Sequence, residues 1–269
     1  MGQKISIIIP AFNMERFIEQ AVQSAVEQDG ISLSDLEILA VNDGSEDSTG
    51  HIVEGLIKKY GGFIRLISLK SNAGVLTATM EGLKKANGEY ICLLDADDVW
   101  ARNKLSEVVS CFEAGYDLVF HEGEFIDSNG NSLNKYVRCM MDNDKIAASI
   151  RTFNGGIPMG SSISFRRSML DLELLVSVYN SFKEKNVERS VHQDSAILHT
   201  LISRKDIKIK CIRNNLYGYR LHENNDSLKS DFDNDRRLRK IFNGGLHTTL
   251  FAIEIYKRSG LYYEDKRIE

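Results

Sequence analysis

Two prolines in 269 residues leave no Pro-rich linker, and no internal repeat or low-complexity tract interrupts the chain. Its four cysteines, Cys92, Cys111, Cys139 and Cys211, are scattered without a Cys-x-x-Cys pair, which argues against structural zinc and a disulfide framework. Cys92 and Cys111 fall inside apolar runs and read as small core residues. No long apolar stretch stands near the amino terminus, so neither a signal peptide nor a transmembrane helix is expected. The expected setting is a reducing cytoplasm, or the inner face of its membrane. A net charge of −4 lacks the broad basic surface of a nucleic-acid-binding protein, and no nucleic-acid partner is expected. The 42% hydrophobic and 27% charged residues suit a soluble globular chain long enough for a full core, as one large domain or one domain with an appendage.

Strand and helix signals alternate through the first hundred residues. Strands are expected at Lys4–Ile9, Leu36–Val41, Phe63–Leu69 and Glu89–Leu94, and helices at Glu15–Gln28, Ser48–Tyr60 and Val75–Ala86. Short connections between such units predict a mostly parallel central sheet with helices on both faces, an α/β fold whose ligands bind beyond the carboxyl ends of the strands. Beyond Trp100 the pattern loosens. Helices are expected at Arg102–Phe112, Asp142–Ile150, Arg167–Lys185 and Asp194–Ser203, and strands at Asp117–Phe125, Ser161–Phe165, Ile207–Ile212 and Leu216–Leu221. Ser128-Asn129-Gly130-Asn131 signals a hairpin turn. Apolar and charged residues alternate at helical spacing over Asp233–Arg258. The expected division is a domain over residues 1–228, with halves 1–100 and 101–228, and a C-terminal helical extension over 229–269.

The most informative segment is Asp95-Ala96-Asp97-Asp98, directly after an apolar strand. In an extended segment Asp95 and Asp97 point the same way and can serve one ligand together. Clustered carboxylates repel unless a cation or hydrogen-bonding ligand compensates, and Mg²⁺ or Mn²⁺ with a diphosphate is a common solution. The alternative is a solvated acidic turn capping the helix that begins near Arg102. Two further polar clusters, Pro10-Ala11-Phe12-Asn13 with Glu15, and Asn42-Asp43-Gly44-Ser45, fall on the same sheet edge and suggest one site.

Four fragments occur in order: Ser6-Ile7-Ile8-Ile9-Pro10-Ala11-Phe12-Asn13, Val41-Asn42-Asp43-Gly44-Ser45 with Asp47-Ser48-Thr49, Asn72-Ala73-Gly74, and Asp95-Ala96-Asp97-Asp98. Their order and spacing resemble the GT-A glycosyltransferases of family 2, densely over residues 4–100 and more thinly to about residue 228. The resemblance implies a Rossmann-like GT-A fold and inverting transfer of a sugar from a nucleotide-diphosphate donor, a UDP-sugar, with Mn²⁺ or Mg²⁺ as cofactor. It implies a donor site of Pro10, Ala11, Phe12, Asn13, Glu15, Asp43, Asn72, Gly74, Asp95, Ala96 and Arg220. Asp43 would accept from uracil, with Gly44 letting the backbone approach a flat ligand. The other reading of Asn42–Thr49 is a turn capped by Asp47 or Ser48, and Phe12 suits the core as well as the nucleotide edge. Asp95 would hold the ribose and Asp97 the metal, with Asp98 supporting Asp97 or serving as an alternative ligand.

An inverting transfer also needs a base near the acceptor and positive charge near the leaving group. His192-Gln193-Asp194 resembles the family's Glu-Asp pair with Gln in place of Glu, which makes Asp194 the expected general base; a helix cap is its plainer role. The stretch Tyr217-Gly218-Tyr219-Arg220-Leu221-His222, continuing to Ser227, resembles a family segment that places Arg220 by the diphosphate and His222 on the metal. His51, His121, His199 and His247 read as structural. Gly155 to Ser162 resembles the loop lining the acceptor side, though its glycines suit plain turns. The basic, partly apolar Arg236–Phe242 suits an anionic membrane surface, or packing against the domain or a sister subunit in a homo-oligomer.

The implied acceptor is a saccharide or lipid-linked saccharide hydroxyl, and the implied setting is bacterial surface-polysaccharide assembly. Two rival functions stand beside this one. Asp95-Ala96-Asp97-Asp98-Val99 also matches the opening motif of haloacid-dehalogenase-type phosphotransferases, with Asp95 as nucleophile. A non-catalytic nucleotide-sugar-binding partner subunit is the third, which Asp194 argues against and Gln193 slightly for.

Overall fold

A computed structural model of the chain describes residues 4–139, 147, 150–151, 159–223, 225 and 247–261. The described residues place nine strands in one sheet: β1 Ile5–Ala11, β2 Leu36–Asn42, β3 Ile64–Ser68, β4 Tyr90–Leu93, β5 Val99–Trp100, β6 Leu118–Ile126, β7 Ser132–Val137, β8 Ser164–Arg166 and β9 Ile209–Arg220. Their order is β3-β2-β1-β4-β8-β6-β9-β5, with β7 beside β6. The first four run parallel. β8 enters antiparallel between β4 and β6, and β6 pairs parallel with β9. The expected mostly parallel α/β sheet is therefore present, parallel in its first half and mixed in its second.

Every residue of β1 is buried, because helices cover both faces of the sheet. Alternation along the strands sorts their side chains into two cores. Ile7, Ile9, Ile38, Ala40, Tyr90 and Cys92 face one side, packed by α1 (Ile18–Val26), α2 (Thr49–Tyr60) and α4 (Lys104–Glu113). Ile8, Leu39, Val41, Ile91 and Leu93 face the other, against α3 (Val75–Lys85), α5 (Leu172–Lys183), α6 (Gln193–Ile202) and a C-terminal helix through residues 247–258.

The expected elements of the first hundred residues are all present, with ends shifted by at most three residues. The later half differs more: the helix expected at Arg167–Lys185 begins at Leu172, after a 3₁₀ turn over Arg167–Met169. The two strands expected at Ile207–Ile212 and Leu216–Leu221 are one strand, β9. His121 pairs Ile212 while Glu122 pairs Asn215, so Arg213 and Asn214 bulge out of a continuous ladder. The strand expected at Ser161–Phe165 starts at Ser164, after a 3₁₀ turn over Gly160–Ser162. β5 is too short for a periodicity signal. Of the helix expected at Asp142–Ile150, the described residues 147 and 150 are helical. Gly155 to Pro158, Arg236–Phe242, Asn224, Asp226 and Ser227 lie outside the described residues.

Candidate functional site

The strand order reverses at β1, with β2 and β3 on one side and β4 on the other, and a crevice for ligands is expected at that switch point. Two loops on this edge clamp one another. Asn13 N donates to Ser45 Oγ (2.9 Å), and Asn13 Oδ1 accepts from Glu46 N (2.9 Å). Glu15 Oε2 accepts from Ser48 N (3.0 Å), while Asp47 accepts from Glu15 N (3.0 Å) and Thr49 N (2.9 Å). Asn13 and Glu15, expected at the nucleotide edge, are thus committed to holding the loop at 45–48. Asp47 braces the start of α2, whereas Ser48 makes no capping bond. Phe12 is 37% exposed on this edge and is not a core residue. Pro10 and Ala11 are buried strand residues beneath it.

Asp43 is buried, and its two carboxylate oxygens accept from Ala73 N and Gly74 N (both 2.8 Å). Asn72 Oδ1 accepts from Gly74 N as well (3.1 Å). Asp43 thus also holds the loop that leads into α3, and keeps one lone pair per oxygen. The expectation for Gly44 is corrected. It has φ +69°, and a Cβ there would lie 2.5 Å from the Ser71 carbonyl carbon, so its role is close approach to backbone rather than to a flat ligand.

The carboxylate run is a folded turn, closed by Asp98 N donating to Asp95 O (3.1 Å). It does not cap α4, whose N-cap is Asn103, and it is not solvated: Asp95 and Asp97 are half-buried, Ala96 and Asp98 buried. Burial, with the charges of Asp97 and Asp194, pushes the Asp95 carboxyl up to about 7. Burial, with Asp97 and Asp95, pushes Asp98 well above the carboxylate range. Asp98 points inward, accepting from Ser161 Oγ (2.6 Å) and Arg220 N (2.9 Å).

Asp97 faces the far end of β9. Its Oδ2 lies 3.1 Å from His222 Nε2 and 3.4 Å from Asn225 Nδ2. The His222 ring rests on Phe17, with centroids 4.6 Å apart. A hard carboxylate oxygen suits Mn²⁺ or Mg²⁺, an added imidazole nitrogen favours Mn²⁺ of the two, and two protein donors leave positions for diphosphate oxygens and water. Among the described residues no cluster of three His, Cys, Asp or Glu stands ready for a metal without such a ligand.

Arg220 lies against the carboxylate turn and is held there by protein. It has no exposed surface; Nε donates to Asp97 O (2.7 Å), Nη1 to Ser128 O (3.1 Å) and Asp127 O (3.4 Å), and Nη2 to Gln20 Oε1 (2.8 Å). Its guanidinium ties the carboxylate turn, the β6–β7 hairpin and α1 together, and four of its five N–H donors are spent on these bonds.

Asp194 stands in the first turn of α6, two residues past the N-cap His192, and Ser195 N donates to its Oδ1 (2.7 Å). Burial raises its carboxyl above the usual range, offset in part by the backbone N–H groups and His192. Its charge is felt at Asp95, which places base candidate and carboxylate turn in one field. Arg189, just before α6, reaches across to donate to Asn72 O (2.6 Å). Gln193 is buried, and its Nε2 finds no hydrogen-bond partner among the described residues. The sequence reading passed over Phe17, Ser161, Arg189 and Asn225. Ser161 and Asn225 sat inside segments already singled out, but nothing in their spacing marked them individually.

Residues 6–172 match the family described as Glycosyl transferase family 2. A Nostoc sp. protein named as a glycosyltransferase is 29% identical over 231 residues, which cover 84% of this chain and 67% of that protein. Across eight curated relatives it matches, this chain spans 23% to 67% of their length. The solved structure of S. aureus TarS with UDP-GlcNAc aligns over 83% of this chain and 60% of its own, with TM-score 0.60 and 18% identity. The mannosyltransferase PcManGT of Pyrobaculum calidifontis, solved with GDP-Man and Mn²⁺, aligns over 80% of this chain and 55% of its own, with TM-score 0.53 and 18% identity. At such identities the structural likeness speaks for the fold, and the fold is GT-A. A phosphotransferase is not favoured, since the Asp95 turn follows the fourth strand of this sheet inside the matched span. With most of its length inside the family match and its strands arranged as in these enzymes, the chain belongs to glycosyl transferase family 2.

Proposed function

We propose that the protein is an inverting, metal-assisted glycosyltransferase that moves a sugar from a UDP-sugar to the hydroxyl of a saccharide or lipid-linked saccharide acceptor. The observation that carries this reading is the meeting of the Asp97–His222 pair with Asp95 and a half-buried Asp194, whose charge acts on Asp95. The neighbours solved with UDP-GlcNAc and with GDP-Man and Mn²⁺ support a nucleotide-sugar donor. Residues 1–100 would form the donor half and 101–228 the acceptor half.

In this scheme Asp97 and His222 hold Mn²⁺ or Mg²⁺, which when bound neutralises the charge of the departing diphosphate. Asp95, beside Asp97, accepts from the ribose hydroxyls. The remaining lone pairs of Asp43 accept from the uracil N–H at an edge formed by Pro10 to Asn13. Asp194 takes the proton of the acceptor hydroxyl as its oxygen attacks the anomeric carbon, and the bond from that carbon to the diphosphate oxygen breaks on the opposite face. A carboxyl raised by burial is a stronger base than an exposed one.

Among the described residues no helix is long and apolar enough to cross a membrane. The test of the function is turnover: purified protein, a panel of UDP-sugars and saccharide acceptors, Mn²⁺ or EDTA, and UDP release as the readout. The reading expects metal-dependent release with one donor. Failure of every nucleotide sugar to bind in the presence of Mn²⁺ would contradict it.

A further inference from the structure

We propose that Ser161 is a positioning residue that decides which carboxylates of the 95–98 turn face the donor; the inference rests on the functional reading above. Ser161 has no exposed surface and sits on the single 3₁₀ turn that enters β8. Its hydroxyl donates to Asp98 Oδ2 (2.6 Å) and accepts from Asp95 N (3.0 Å). Its carbonyl accepts from Trp100 Nε1 (2.9 Å). One serine thus grips the first residue of the turn, the last, and the tryptophan two positions beyond.

The neighbouring Gly160 supplies the floor. A Cβ there would lie 2.8 Å from Asp95 Oδ2, so the Asp95 carboxylate lies against the glycine with no room for a side chain. Arg220 N completes the hold on Asp98 from the other side, at 2.9 Å from Oδ1. With both Asp98 oxygens bound inward, the turn presents Asp97 to His222 and keeps Asp98 out of the metal position.

At 2.6 Å the Ser161–Asp98 bond is at the short end of the range for a hydroxyl donor, and it is buried. Without it, a buried carboxylate oxygen loses its donor beside two further carboxylates, and the simplest relief is rotation of Asp98 toward solvent and any cation there. That rotation carries Asp97 away from His222. Partners that orient metal-binding groups typically change metal affinity by roughly 10- to 100-fold when removed. A serine that merely supports the fold would lower stability and leave the metal dependence alone.

The test is calorimetric titration of UDP onto the wild-type chain, Ser161→Ala, Asp98→Asn and the double variant, each with Mn²⁺ and with EDTA. The expected result is a loss of roughly 10-fold or more in the Mn²⁺ titration of Ser161→Ala with affinity in EDTA unchanged, and a double variant no weaker than the weaker single one. Equal losses with and without Mn²⁺, no loss at all, or strictly additive losses would each overturn the proposal. If Ser161→Ala does not fold, Ser161→Cys, of similar shape but a weak donor, makes the same comparison. Wild-type protein that binds no UDP with Mn²⁺ overturns the functional reading and this inference with it. Wild type that binds, matched by Ser161→Ala, overturns this inference alone.

Discussion

A guanidinium with no exposed surface, bonded to Asp97 O, Ser128 O and Gln20 Oε1, holds protein together before it can meet any ligand. Replacing Arg220 by Met should therefore cost stability, about 3–5 kcal/mol, because buried acceptors lose a charged partner. Chemical denaturation measures it, and an unchanged midpoint with a lost kcat would return Arg220 to the diphosphate. Asp194 is the opposite case. It sits at a helix start without acting as the N-cap, and it accepts from the next backbone N–H, so removing its charge should spare the fold. Asp194→Asn should keep donor affinity and lose turnover by at least 100-fold or so, since only proton transfer in the transition state is removed. A kcat within a few-fold of wild type would remove Asp194 as base.

Elements show why some of this was legible in the sequence and some was not. The helices of the first half declare themselves through stripes such as Ile18, Ala21, Val22 and Ala25, all of which are buried. β9 does not, because its bulge at Arg213 and Asn214 breaks the two-residue period and makes one strand read as two. The hydrogen bonds of Asp43 to Ala73 and Gly74, and of Ser161 to Asp98, join residues 30 and 63 positions apart, and no local pattern carries such a pairing. The C-terminal helix packs onto the domain where it is described. Phe251, Ala252, Ile255 and Tyr256 are buried in the core that contains α5 and α6, and Thr248 Oγ1 accepts from His192 N (3.1 Å) at the N-cap of α6. Phe251→Ala should cost about 3–5 kcal/mol as a core cavity, measured by denaturant midpoint. A loss below about 1 kcal/mol would mean that this helix is not part of the core.

The whole molecule is a sheet whose parallel half follows from composition and period, and whose mixed half is set by long-range insertion of β8 between β4 and β6. That insertion brings Gly160 and Ser161 beneath the Asp95 turn. Its buried titratable groups also set the pH response. Burial and the charge of Lys104 hold His121 at about 3, against 6.5 for a free imidazole, and burial alone holds His199 at about 4. The unfolded chain therefore takes up protons below pH 6.5 that the folded chain refuses, and the stability these histidines contribute above 6.5 is lost as pH falls toward 4. Asp95, raised to about 7, acts with the opposite sign between 3.8 and 7, so a single variant must isolate the histidine. His121→Phe should flatten the acid limb by up to about 1.4 kcal/mol per pH unit in denaturation from pH 6.5 to 4.5. An unaltered slope would mean that His121 is not held neutral.

The central claim, a nucleotide-sugar site completed by a cation on Asp97, is tested most directly by calorimetric titration of UDP with Mn²⁺ and again with EDTA, on wild type and Asp97→Asn. The account predicts that wild type binds UDP tightly only with Mn²⁺ and that Asp97→Asn binds equally weakly in both. Tight binding by wild type in EDTA, or by Asp97→Asn in Mn²⁺, would contradict it.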